Sequence, residues 1–211
     1  MSASCCHHEN QAPPGDDGFR RVLWIALAIN AGMFFVEGVS GLLGDSVSLQ
    51  ADALDFFGDA ANYGLGLAVL GMALTHRATA AIVKGVSMGL FGLWVIAAAI
   101  YNLVAQTIPS PAVMGVVGFL ALIANLGVAL LLFRHRKGDS NHRSVWLCTR
   151  NDAIGNIAVM LAASGVFASG AAWPDLGVAV VMAALALSSC HRLIRQAVGE
   201  VRSVPRLSPA E

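Results

Sequence analysis

A chain of 211 residues with only 12% charged and 56% hydrophobic residues has about half the charge a soluble domain uses to cover its surface. Thirteen basic and thirteen acidic residues balance, which leaves no net positive field and excludes a nucleic-acid partner. With a mean hydropathy of +0.68, the chain reads as an all-α polytopic membrane protein, embedded in a lipid bilayer.

The first twenty residues are polar and contain Pro13-Pro14-Gly15-Asp16-Asp17 rather than an apolar core, so no cleavable signal peptide is expected. Residues 1–20 read as a flexible cytoplasmic tail carrying Cys5-Cys6-His7-His8. That compact set of soft ligands suits either functional or adventitious metal capture, and both readings stand. Six apolar runs follow, at 22–43, 47–74, 84–106, 112–133, 144–168 and 174–191. Each is close to the ~20 residues that cross a bilayer, and the second is long enough to tilt or protrude. Together they make a transmembrane domain over 21–197, followed by a short cytoplasmic tail at 198–211. Val201 to Glu211, with Pro205 and Pro209, is expected to be disordered.

Charge sets the orientation. Arg20 and Arg21 precede the first run, His76, Arg77 and Lys84 separate the second and third, and Arg134, Arg136, Lys137 and Arg143 separate the fourth and fifth. Arg192, Arg195, Arg202 and Arg206 follow the sixth, while the other three loops hold no Lys or Arg. The positive-inside rule then places both termini in the cytoplasm. Arg150, inside the fifth run, is the exception; snorkelling or an ion pair accounts for it. The four cysteines (Cys5, Cys6, Cys148, Cys190) lack the spacing of a disulfide framework. Surface roles are expected for His76, His135 and His142, and an interfacial one for Cys190-His191.

Five acidic residues fall inside the runs: Glu37, Asp52, Asp55, Asp59 and Asp152. Ionisable groups there are expensive, and each calls for a partner. For Glu37 a structural and a functional role are equally open, and Asp52 suits a structural one. Asp52, Asp55 and Asp59 stand at i, i+3 and i+7, on one helical face. Asp55 and Asp59, one turn apart, repel in a low dielectric, so one is protonated or a cation sits between them. In the fifth run Cys148 and Asp152 are again one turn apart. A lone buried cysteine is ordinarily a small core hydrophobe; pairing with an intramembrane acid shifts it toward a ligand. Two helices each presenting two such side chains make a four-ligand cage suited to a tetrahedral divalent metal. Three carboxylates and a thiolate fit Zn²⁺ well and Cd²⁺ plausibly, whereas Mg²⁺ prefers octahedral oxygen.

These residues resemble the cation diffusion facilitator family of proton-coupled divalent-metal exporters. Its pattern of Gly-Ser-(x)8-His/Asp-x-x-x-Asp in span two falls on Asp45-Ser46, Asp55 and Asp59, and its His-x-x-x-Asp of span five on Cys148 and Asp152. Asn30, Glu37, Ala51-Asp52-Ala53, Asn125 and Asp175 are further similar positions. The resemblance implies metal efflux in exchange for protons, a metal site at Asp55, Asp59, Cys148 and Asp152, no enzymatic activity and no cofactor. It also implies a homodimer and, as location, a bacterial cytoplasmic membrane. Three departures stand out. Cys148 replaces the usual His and softens the site toward Cd²⁺, Asp45 replaces the usual Gly, and the cytosolic ferredoxin-like domain that follows span six in the family is expected to be missing. A metal-binding membrane sensor, buffer or subunit without transport of its own is the competing reading.

Overall fold

A computed structural model of the chain describes residues 17–68, 74–133 and 140–203, the side chains of 17, 19, 74–78, 81, 140–151, 196 and 200–203 excepted. They form six helices: α1 (Asp17–Leu43), α2 (Val47–Ala68), α3 (Leu74–Ala105), α4 (Pro111–Phe133), α5 (Ser140–Ser169) and α6 (Trp173–Ser203). Five of them, all but α2, contain stretches long and apolar enough to cross a membrane. α2 fails that test because its turns carry Gln50, Asp52, Asp55 and Asp59. It can afford them because it is the helix the others enclose. Residues 47–54 are buried on every side, and α2 packs against each of the other five helices.

The outward faces are apolar. Trp24, Phe35 and Val39 on α1, Leu90, Trp94 and Tyr101 on α3, Phe119, Ile123 and Leu130 on α4, and Phe167 on α5 are all exposed. A contiguous apolar exterior of this kind is what lipid requires and water penalises. The fold is therefore that of an all-α polytopic membrane protein, as the composition implied.

Glycines set the tightest seam. On α3, Gly85, Gly89 and Gly92 form a groove that receives Ile194, Cys190 and Leu187 of α6. A Cβ on Gly89 would lie 2.9 Å from the sulfur of Cys190. Cys190 is thus a buried residue of the α3–α6 seam, donating to the carbonyl of Gly85 at 3.0 Å, and His191 beside it is exposed.

The two largest apolar clusters among the described residues lie at different depths. The larger, near the short α1–α2, α3–α4 and α5–α6 connections, joins Val47, Leu49, Val95, Met114, Val159, Val166 and Met182. The smaller, toward the opposite end, joins Leu23, Ala26, Tyr63, Leu67, Val128 and Leu132. The acidic turns of α2 run between them.

Several expected boundaries shift. α3 begins at Leu74, ten residues before the hydropathic run, so Lys84 is not a loop residue but a buried one in the third turn of a helix. α6 continues unbroken to Ser203, through the first residues of the expected tail. A hydropathy window ends where charge begins, but a helix does not. The Cys5-Cys6-His7-His8 cluster, His76, His135, His142 and Arg150 lie outside the described side chains.

Candidate functional site

At the end of the bundle holding the short connections, the α1–α2 turn is a dense polar knot. The amide of Gly44 bonds to Ser40 O at 2.8 Å, and that of Ser46 to Gly41 O at 2.9 Å. Between them Asp45 takes a φ of 54°, the left-handed conformation that glycine adopts at least cost. This accounts for glycine at that point of the resembling pattern, and Asp is among the few other residues that tolerate it. Ser46 then caps α2, accepting from Leu49 N at 3.2 Å.

A second cap comes from the far end of the chain. Asp175, in the first turn of α6 and wholly buried, accepts from Ser46 Oγ at 2.7 Å and Ser48 Oγ at 2.6 Å. It also accepts from the amides of Val47 at 2.8 Å and Ser48 at 3.1 Å. One carboxylate therefore satisfies the unpaired amides that begin α2 and complements the positive end of its dipole. Asn102 of α3 donates to Asp45 O at 2.9 Å and completes the knot.

Below the knot the acids of α2 fall into two groups. Asp52 (1% exposed) lies against Glu37 of α1 (0% exposed), carboxyl to carboxyl. Among the described residues, neither oxygen of Glu37 meets a donor, and neither does Oδ2 of Asp52. Asp55 is half-buried one turn on and near enough to act electrostatically on Glu37. Asp59, buried, forms the second group. Its side chain meets that of Asp152 from α5, and Tyr63 Oη donates to its Oδ2 at 3.5 Å. Lys84 of α3 bears on Asp59 electrostatically and donates from Nζ to Asn62 Oδ1.

Of the four expected ligands, then, Asp59 and Asp152 come together across the α2–α5 contact. Asp55 sits one turn away on the same helix, and Cys148, though on α5, has its side chain outside the described residues. Among the described residues no three His, Cys, Asp or Glu side chains gather around one point. Among the described residues, α5 contributes one more buried polar side chain, Asn156, with both its amide atoms unpartnered. It follows Asp152 by four residues, and Tyr63 follows Asp59 by four, so the one-turn spacing that flagged the acids also marks these two. Lys84 and Asn62 were missed, because nothing local in the sequence links a lysine on α3 to an acid on α2.

A bundle with an apolar exterior and paired acids in its interior has the build of an ion-handling membrane protein. Residues 23–200 match the model of the cation efflux transmembrane domain, and the chain belongs to that family. Over 210 aligned positions it is 25% identical to zinc transporter ZitB of Escherichia coli (strain K12), covering 92% of this chain and 66% of the relative. Zinc transporter ZitB of Shigella flexneri matches with the same figures. The chain thus spans just under two thirds of the length of these relatives. What the match establishes for this chain is the transmembrane domain of a cation efflux family.

Proposed function

We propose that the protein exports a divalent metal cation, Zn²⁺ foremost and Cd²⁺ next, in exchange for protons. The cation is held by Asp55, Asp59, Cys148 and Asp152. The observation that carries this reading is the meeting of Asp59 and Asp152. Two carboxyl groups from different helices, in contact within a membrane protein's interior, need either a proton or a cation between them. A site that accepts one in place of the other is an exchange site, since binding metal requires deprotonated ligands.

In this reading metal entering from the cytoplasm displaces protons from the thiol and carboxyls and draws the four ligands around itself. Rocking of the helices then opens the site to the other face, where incoming protons release the metal. The working assembly is a homodimer, as in the resembling family. The named relatives, both zinc transporters, support zinc as first cargo, and the cysteine at 148 gives cadmium its place.

Reconstitution into proteoliposomes with an imposed pH gradient tests the proposal. Wild-type protein is expected to move Zn²⁺, and Asp59→Ala to abolish that flux. Unaltered flux in Asp59→Ala ends the four-ligand account, and binding without flux in the wild type favours a metal sensor or buffer.

A further inference from the structure

The mechanism so far leaves one buried charge without a use. Lys84 is 7% exposed on a helix whose neighbouring positions Val83 and Val86 face outward. A lysine near a helix end normally extends its ammonium to the interface. This one turns inward and donates to Asn62 of α2.

The packing shows where that amine lies. A Cβ on Gly58 of α2 would meet the Met88 side chain at 3.1 Å. Met88 and Lys84 are one turn apart on α3, as Gly58 and Asn62 are on α2, so the two turns lie side by side. Asp59, three residues before Asn62, shares its side of α2. The ammonium is thereby held beside the acid of the Asp59–Asp152 pair, and it acts on Asp59 electrostatically. Among the described residues, the influences on Glu37 and Asp52 are other carboxyl groups and burial.

We propose that Lys84 is a built-in competitor for the transported cation: tethered to α3 and steered by Asn62, it partly neutralises Asp59 in the metal-free protein and opposes the charge of an incoming metal. Its effect is to hold affinity down. A cage of three carboxylates and a thiolate would bind a soft divalent ion tightly enough to retain it. A fixed positive charge at its edge penalises the loaded state and favours release, so Lys84 sets the balance between capture and turnover. This rests on the proposed metal site at Asp59 and is tested so that the two can fail separately.

The test is competition titration of Zn²⁺ against a fluorescent chelator, on the purified full chain in micelles, with zinc flux measured in parallel. Lys84→Gln removes the charge but keeps an amide donor for Asn62. It is expected to lower the Kd for Zn²⁺ about tenfold, within the usual range of coupling between two sites, and to lower both KM and kcat for flux. Lys84→Met, as a second neutral variant, should do the same, and Lys84→Arg should bring Kd back toward the wild-type value. Damage to the fold weakens binding, so tightening is a signature a structural defect does not produce. Equal or weaker binding in the neutral variants overturns the proposal, as does Lys84→Arg binding as tightly as Lys84→Gln. Asp59→Asn is the separate control. Wild-type affinity there removes the site itself, whereas lost affinity there with no tightening in Lys84→Gln removes only the role of Lys84.

Discussion

Asp175 and Glu37 are both fully buried acids in the same bundle, and they are treated in opposite ways. Asp175 receives four hydrogen bonds, two from serine hydroxyls and two from backbone amides. Glu37 receives none from the described residues and faces another acid. A buried carboxylate surrounded by donors is a structural fastening, because each bond offsets the cost of leaving water. A buried carboxyl that faces another acid has no such fastening. The knot thus fixes the start of α2, and the acids of that helix lie below it.

The contrast can be broken by substitution. Asp175→Ala is expected to have the larger effect on stability. It strands Ser46, Ser48 and the first amides of α2, and should cost about 3 kcal/mol or more, at charge-assisted strength for each bond lost. Thermal melting in micelles checks this, and a loss below about 1 kcal/mol would mean that water replaces the carboxylate freely. Glu37→Gln is the sharper, smaller counterpart. The amide has the shape of the acid and removes no donor's partner, so stability should stay within about 1 kcal/mol of wild type. A penalty as large as that of Asp175→Ala would show that the two acids are alike after all.

How much of this could be read from sequence depends on distance along the chain. Contacts one helical turn apart are legible: Asp55 with Asp59, Asp59 with Tyr63, and Asp152 with Asn156 all follow from the period of the helix. The six apolar runs are legible too, because lipid demands unbroken hydrophobicity. The cap that Asp175 provides to Ser46 spans 129 residues, and no local pattern announces it. Lys84 was misplaced for a related reason. Hydropathy marks where apolar residues begin, and α3 starts earlier, so a buried lysine looks like a loop lysine. The left-handed turn at Asp45 was visible only as a departure from the resembling pattern, and its backbone angle supplies the reason. Asp59 and Asp152 lie in different helices, and only the packing of α2 on α5 brings their side chains together; Cys148 enters the proposed site through its one-turn spacing from Asp152 and the resembling pattern.

Cys148 is the ligand that separates this site from an all-oxygen one. X-ray absorption at the zinc edge, on full-length protein loaded with one Zn²⁺ in a Cys5→Ser, Cys6→Ser background, reads the ligands directly. The account predicts one sulfur at about 2.3 Å and three oxygens at about 2.0–2.2 Å, with the sulfur lost in Cys148→Ser. A shell of oxygen and nitrogen alone, or a sulfur that survives Cys148→Ser, would contradict it.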